Sequence, residues 1–383
     1  MNKRHVRFYN FFLPLVKIFL KVKFGYKFKV EKDLPENYIV IANHTTDFDP
    51  LFVGVSFKRQ MYFVGSEHIA RWGWISSFLK YGFEPILRSK GTVATSTVLE
   101  ILRKLRHGAN ICLFAEGVRT WDGISCPVHP STAQLVKKAK CALITYKVAG
   151  GYFSSPMWSS TRSTRRGDIS GGIVNIYTKE QLAEMSVEEI HKHITDDIYL
   201  DAYEQQIAEP KIYKGKNLAE NLETLMFICP NCNARDSFES KKNTVRCKSC
   251  GTSFTYGKDG FLHDFAFKTV RDYAKWQREQ VKYDAENNVI YSSPCGVLTT
   301  VEDHVPVEIS SGQMSLSAES LTCGDISVPM ESIKDFAMHG KRSLVFTAEN
   351  KYYELKLPRK TNAIKYHILY DHIKALEKNK INV

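Results

Sequence analysis

His44 and Asp49 are separated by four residues in the run Ile41-Ala-Asn-His-Thr-Thr-Asp-Phe-Asp-Pro50. Removing a proton from an attacking hydroxyl near neutral pH suits a neutral imidazole, whose intrinsic pKa is about 6.5. A carboxylate partner fixes the ring tautomer and stabilises the imidazolium that forms. The same two residues also fit a plainer arrangement, in which Asp49 caps a helix and His44 is a polar loop residue. Two further stretches carry anion-binding chemistry. In Leu113-Phe-Ala-Glu-Gly-Val-Arg119, Glu116 and Gly117 form a tight turn and Arg119 can grip a phosphate through paired donors. In Pro85-Ile-Leu-Arg-Ser-Lys-Gly91, Arg88 and Lys90 precede a helix N-terminus, a setting that favours anions. Either arginine stretch is also compatible with an ordinary exposed turn.

The elements around these residues alternate. Strands are expected at Tyr38–Ala42, Met61–Val64, Phe83–Leu87 (an edge strand, given Pro85), Asn110–Phe114, Ala142–Val148 and Gly172–Tyr177. Helices are expected after Asp49-Pro50, with Asp49 as N-cap, and at Trp74–Tyr81, Thr92–His107 and Ser131–Lys140. A capping box at Ser186–Glu189 opens another, running to about Gln206. This pattern specifies an α/β domain, a central sheet covered by helices, over residues 31–210. The Gly150–Gly172 loop carries Arg162, Arg165 and Arg166, which either extend an anion-binding rim or belong to an ordinary solvated loop, the reading that the charge pattern favours.

Cys229-Pro-Asn-Cys232 and Cys247-Lys-Ser-Cys250 are two Cys-x-x-Cys knuckles fourteen residues apart. Four thiolates so spaced can surround one Zn²⁺ tetrahedrally, leaving no open position, so the expected role is structural. Residues 226–258 therefore resemble a zinc ribbon. A helical linker is expected over 259–295, with its helix at about Phe261–Lys282. Short alternating runs, including Val305–Ile309 and Met314–Ser317, and one closing helix capped near Thr361, suggest a small β-rich domain over 296–383. Its pattern is of the pleckstrin-homology-like kind.

The blocks Asn43-His44…Asp49, Gly82…Arg88 and Phe114…Glu116-Gly117…Arg119, in this order, resemble the signatures of the glycerolipid acyltransferase superfamily, which includes the 1-acylglycerol-3-phosphate acyltransferases. Ala115 and Val118 stand where the family usually has proline and threonine. Leu143–Tyr146 lacks the usual fourth-block proline. The resemblance covers roughly residues 30–210 and implies direct acyl transfer without a covalent enzyme intermediate. His44 would be the general base and Asp49 its support. Arg88, Glu116, Gly117 and Arg119 would hold the glycerol phosphate. The donor would be acyl-CoA or acyl-carrier protein and the acceptor a lysophospholipid, with 1-acylglycerol-3-phosphate the leading expectation.

The chain of 383 residues carries a net charge of +12, and eight basic residues lie in the first thirty with no acid before Glu31. They interleave with aromatic and aliphatic residues in a run too short and too interrupted to span a bilayer. This composition fits a basic amphipathic helix lying on an anionic membrane surface, though a helix docked on the protein itself has the same pattern. The nine cysteines and the absence of a recognisable export signal fit a reducing cytoplasm. The expected location is the inner face of the cell membrane, with a phospholipid surface, a lysophospholipid and, as a further partner, acyl-carrier protein. Nucleic acid is disfavoured because the charge gathers outside the ribbon. The rival reading is a lipid-sensing regulatory or scaffold protein that binds nucleic acid or protein through the ribbon and C-terminal domain.

Overall fold

The computed structural model describes residues 3–66, 69, 73–88, 95–160, 163–302 and 305–381. Helix α1 (Lys3–Phe24) leads into β1 (Lys27–Phe28), β2 (Tyr38–Ala42), α2 (Asp49–Gly54), β3 (Met61–Ser66), α3 (Trp74–Gly82), β4 (Ile86–Arg88), α4 (Thr95–Arg106) and β5 (Asn110–Phe114). Then follow α5 (Ser131–Ala139), β6 (Ala142–Ala149), α6 (Gly151–Ser154), β7 (Ser170–Tyr177), α7 (Lys179–Glu184), α8 (Val187–Ile198) and α9 (Ala202–Ala208). The seven strands form one sheet in the order β1-β7-β6-β2-β5-β3-β4. Strands β2 to β6 run parallel, and β7 pairs antiparallel with β6.

Strand β2 explains the layering. Its five residues form an unbroken apolar run and all are buried, as expected where both faces are covered. Ile39 and Ile41 pack with Ile101, Leu105, Val136, Ile190 and Ile194 from α4, α5 and α8. Tyr38, Val40 and Ala42 face the other way, onto Leu20 and Phe24 of α1 and Phe52 of α2. The twofold side-chain alternation of a strand thus sorts one sequence run into two cores. Because β2 and β5 are parallel neighbours, with Ala42 opposite Phe114, the residues that follow each strand emerge at the same edge of the sheet, where α/β proteins place ligands.

A second sheet, β11-β10-β9-β8, comprises β8 (Phe238–Lys241), β9 (Thr244–Cys247), β10 (Ser253–Tyr256) and β11 (Leu262–His263). Helix α10 (Val270–Glu286) follows. The third sheet is antiparallel, in the order β15-β14-β13-β12-β18-β17-β16, and α11 (Ile364–Ile381) closes the chain. Its strands are β12 (Tyr291–Glu302), β13 (Val305–Leu316), β14 (Ser320–Cys323), β15 (Ile326–Pro329), β16 (Lys334–His339), β17 (Ser343–Ala348) and β18 (Lys351–Lys356). One continuous apolar core runs from Trp158, Tyr203 and Tyr213 through Phe227, Phe254 and Tyr273 to Leu316, Phe346 and Tyr366. It joins the edge of the α/β unit to the cysteine-bearing sheet and the C-terminal sheet.

Several boundaries differ from the sequence expectation. The helix opened by the Ser186 capping box stops at Ile198, because Asp201 caps a separate helix by accepting from the Tyr203 and Glu204 amides. The helix expected from Phe261 starts at Val270, capped by Thr269, since Leu262–His263 joins the second sheet as an edge strand. Asn362, not Thr361, supplies the cap of the last helix, accepting from the Lys365 amide at 3.0 Å. Val305–Ile309 and Met314–Ser317 merge into one long strand, with a register irregularity opposite β12.

Arg165 is a correction of substance. It is buried, not part of an anion-binding rim. Its guanidinium donates to the carbonyls of Phe153, at 3.0 Å, and Leu218, and lies over the rings of Trp158 and Tyr256. Arg166 is exposed, and Arg162 lies outside the described residues. Replacing Arg165 with methionine removes the donors from two interior carbonyls, and we expect a loss of about 2–4 kcal/mol. Denaturant unfolding with an unchanged slope would register it; a midpoint equal to wild type would contradict this account.

Candidate active site

The turn between β2 and α2 is built around one carboxylate. Asp49 is fully buried. It is the first residue of α2, not its cap: the N-cap position is Phe48, with no side-chain cap bond. The Asp49 carboxylate instead turns back into the preceding loop. Its Oδ2 accepts from the Thr45 amide at 2.6 Å and the Thr46 amide at 2.9 Å, and Oδ1 accepts from the two threonine hydroxyls at 3.1 and 2.8 Å. His44 Nδ1 lies 2.9 Å from Oδ2. A carboxylate so surrounded by donors accepts, so Nδ1 carries the proton and the lone pair remains on Nε2. The imidazole is partly exposed and stacks on Phe114 at 4.5 Å between centroids. Nothing in the sequence singles out Thr45 and Thr46, because threonine in a loop carries no signal that its hydroxyl serves a buried acid.

Three further links fix this turn. The side chain of Asn43 both accepts from the Val148 amide, at 2.8 Å, and donates to the Val148 carbonyl, at 2.9 Å, imitating a strand partner just past the end of β2. Glu116 Oε1 accepts from the His44 amide at 2.8 Å, and Oε2 from the Cys126 amide at 2.6 Å. Both oxygens of Glu116 therefore accept from backbone amides, which makes it a brace between the two loops. Gly117 takes φ +68°, in the left-handed region that favours glycine, and its amide closes a turn onto the Phe114 carbonyl. Burial pushes the Glu116 carboxyl up to about 8, against the opposing effect of its two amide donors.

Arg119 is brought to the same place. Its Nε lies 3.2 Å from Asp47 Oδ1, so the second turn is tied to the first by an ion pair. Burial draws its guanidinium below the usual value, while Asp47 and Asp49 act in the opposite direction. Arg88 is not drawn into this group. It is exposed at the end of β4, the edge strand, with β5 and β3 between it and β2, a displacement of roughly 14 Å at sheet spacing. It does share the carboxyl-end edge of the sheet. Lys90 lies outside the described residues.

Cys229, Cys232, Cys247 and Cys250 converge, with all four sulfurs within 4.8 Å of one another. Cys229 and Cys250 are 3.7 Å apart, and Cys232 and Cys247 3.8 Å. Thiolates about 2.3 Å from a central ion in a tetrahedron sit about 3.8 Å from each other, so the spacing fits a metal and is far too long for disulfides. The two knuckles share one geometry. In each, the residue four past the first cysteine, Asn233 or Gly251, has positive φ and donates its amide to that cysteine's carbonyl. The cluster is anchored by Gln277 of α10, which is fully buried and bonds the Leu225 carbonyl and the Phe227 amide.

Residues 26–149 match the family model described as Acyltransferase. This segment is an acyltransferase-family domain. It contains β2, the His44–Asp49 turn, Glu116 and Arg119. No curated protein matches the chain. Among solved structures, the 1-acyl-sn-glycerophosphate (LPA) acyltransferase PlsC of Thermotoga maritima aligns at 17% identity and a TM-score of 0.43, covering 55% of this chain and 84% of that one. The N-terminal PH domain of human ARAP2 aligns at 9% identity and a TM-score of 0.18, covering 23% and 81% respectively.

Two measurements test the geometry of the acyltransferase domain and the cysteine cluster. A carboxyl whose pKa rises from 4.5 to about 8 on folding binds its proton more tightly in the folded state. Its contribution to stability is therefore greatest below pH 4.5 and is lost as the pH rises toward 8. Wild-type stability relative to Glu116→Gln should fall across this window, by at most about 1.4 kcal/mol per pH unit; a flat difference would contradict the shift. Serine at Cys229 and Cys232 together should remove bound metal, read by elemental analysis of the purified protein. Retention of a full metal equivalent would exclude the cluster as its site.

Proposed function

We propose that this protein is a membrane-associated O-acyltransferase that moves a fatty acyl group from acyl-CoA or acyl-carrier protein to the hydroxyl of a lysophospholipid, 1-acylglycerol-3-phosphate being the acceptor we favour. The observation that carries the reading is the His44–Asp49 pair at 2.9 Å, inside a domain of the acyltransferase family. Nε2 of His44 removes the acceptor hydroxyl proton as the oxygen attacks the thioester carbonyl. The new ester C–O bond forms, the C–S bond breaks, and the departing thiolate takes the proton back from the imidazolium. Asp49, already desolvated and held by four other donors, stabilises that imidazolium without having to reorganise. Phe114 limits the ring to one plane, and Glu116 fixes the backbone from which it projects. Arg119 supplies a cation for a phosphate beside the base.

A lipid acceptor requires the site to meet a bilayer. Helix α1 docks one side on the protein, through Tyr9, Leu20 and Phe24, and Tyr9 Oη donates to the Gly54 carbonyl at 2.7 Å. Its other side leaves Phe11, Leu15, Ile18 and Val22 exposed at helical spacing, and Trp74 and Tyr81 of neighbouring α3 are exposed as well. Arg7, Lys21 and Lys23 are exposed on the same helix. This combination supports peripheral attachment to an anionic leaflet, on the inner face of the cell membrane. Among the described residues no helix is long and apolar enough to cross a membrane. The four cysteines would hold Zn²⁺ as a closed structural centre.

His44→Ala should lower acyl transfer by roughly 10²–10⁴-fold, the usual contribution of a general base, with the fold and metal content retained. The assay is turnover on anionic vesicles, crossing lysophospholipid acceptors with acyl-CoA and acyl-carrier protein. Turnover within threefold of wild type would remove His44 from its role, and transfer to no acceptor by the wild type would favour the scaffold reading.

A further inference from the structure

The backbone of His44 is held on both sides by the turn that follows β5. Its amide donates to Glu116 Oε1 at 2.8 Å, and its carbonyl accepts from the Thr120 amide at 3.2 Å. Thr120 is therefore a second fixed point for the candidate base, and it directly follows Arg119. What holds Thr120 lies further along the same turn. Its hydroxyl accepts from the Gly123 amide at 2.9 Å and donates to Asp122 Oδ1 at 3.4 Å. Oδ1 also accepts from the Ile124 amide at 3.3 Å. Asp122 is buried, and its other oxygen, Oδ2, meets Arg278 Nη1 at 3.0 Å.

Arg278 comes from α10, outside the segment that matches the acyltransferase family. It lies seven residues, or two helical turns, after Arg271, so both project from one face of the helix. Arg271 Nη1 lies 2.6 Å from Asp201, the buried cap of α9. The Gly123 carbonyl accepts from the Ala202 amide at 2.9 Å, so the turn holding Asp122 and the start of α9 are bonded to each other. The opposite face of α10 carries Tyr273 and Gln277, which accept from the Ile228 and Phe227 amides just ahead of Cys229. One helix thus rests on the first cysteine knuckle and presents two cations to buried carboxylates of the α/β unit. Asp49 is satisfied without a fixed positive charge, but Asp122 has only two long neutral bonds besides Arg278. Without its cation, this carboxylate must turn outward to water, and its bonds to Thr120 and Ile124 go with it.

We propose that Arg278 is a positioning residue for the candidate base: through Asp122 it keeps the Thr120 amide on the His44 carbonyl. Its kinetic consequence rests on the acyl-transfer reading, and it gives α10 and the cysteine-bearing sheet a task in that reaction. Arg278 itself touches neither His44 nor Asp49. It acts by holding still the turn from which Glu116 and Thr120 clamp the His44 peptide, so that Nε2 meets the acceptor hydroxyl in one geometry.

The test compares full-chain wild type, Arg278→Met and Arg278→Lys by two readouts. One is amide hydrogen exchange of segments 43–49 and 116–126, and the other is steady-state acyl transfer on anionic vesicles. Arg278→Met should speed exchange selectively in both segments. It should also lower kcat roughly ten- to a hundredfold with KM nearly unchanged, the signature of a misplaced group and not of lost binding. Arg278→Lys should restore most of both, because an ammonium can pair with the same carboxylate. In an Asp122→Asn background, Arg278→Met should add little to either readout. Unchanged exchange in the two segments overturns the proposal, and so does a selective rise in exchange with unchanged kcat. A rise in KM at constant kcat overturns it by making Arg278 a substrate contact. Equal loss in Arg278→Met and Arg278→Lys, or faster exchange over the whole chain, overturns it in favour of packing or global stability. If wild type transfers to no acceptor, the acyl-transfer reading falls, and the exchange result alone decides whether Arg278 holds the turn.

Discussion

A fully buried carboxylate cannot be left unmatched, and the architecture of the site follows from satisfying the one on Asp49. Taking an ionised group out of water costs several kcal/mol unless donors replace the lost hydration. Here the Thr45 and Thr46 amides, their two hydroxyls and the imidazole of His44 do so. To bring five donors onto two oxygens, the chain must turn tightly between β2 and α2. That turn then needs support of its own, from Asn43 bonded to Val148 of β6 and from Glu116 beneath the His44 amide. The imidazole is consequently the one donor of the set that also reaches the surface.

The same dependence extends outward. Glu116 links the His44 turn to Cys126, and Arg119 links it back through Asp47, so the turns after β2 and β5 form one braced unit. Gly151 lies against Thr45, and the segment beyond it supports both the buried Arg165 and the Ser159 carbonyl. Through Arg165, Tyr256 and the continuous core around them, the α/β unit is packed against the cysteine-bearing sheet, and through α10 against the C-terminal sheet. The cysteine cluster thus lies in the spine that joins the parts, remote from the imidazole but mechanically connected to it. Gln277 and Tyr273 of α10 accept from the Phe227 and Ile228 amides that lead into its first knuckle.

Much of this was legible in the sequence where a local pattern has one dominant physical cause. The apolar run Tyr38–Ala42, the capping box at Ser186 and the knuckles at Cys229 and Cys247 each specify their own geometry within a few residues. The misplaced boundaries share a different cause. Leu262–His263 has helix-compatible neighbours and becomes a strand because β10 offers an open edge. Arg165, in a Gly-, Ser- and Arg-rich stretch, reads as solvated until the carbonyls of Phe153 and Leu218, distant in sequence, enclose it. Asp49 next to Pro50 reads as a cap, and only the fold of the preceding loop turns its carboxylate toward His44. Glu116 has the same ambiguity: its type suggests a polar contact, and its partners are two amides that the sequence does not connect.

The sequence alone therefore determined the inventory: a histidine and aspartate at the end of a buried strand, a glycine turn with an arginine after the next, four thiols in metal-binding pairs, and a basic amphipathic N-terminus. These follow from residue type and short-range spacing, which the covalent chain fixes. Tertiary structure decided which of them meet. Parallel pairing of β2 and β5 brings Glu116 and Arg119 to His44, whereas the edge position of β4 holds Arg88 apart. The return of the chain by way of the third sheet sets Lys341 against the Ser159 carbonyl, 182 residues away in sequence. No local pattern encodes such meetings, because they depend on which apolar faces bury one another, and that is settled only when the whole core closes.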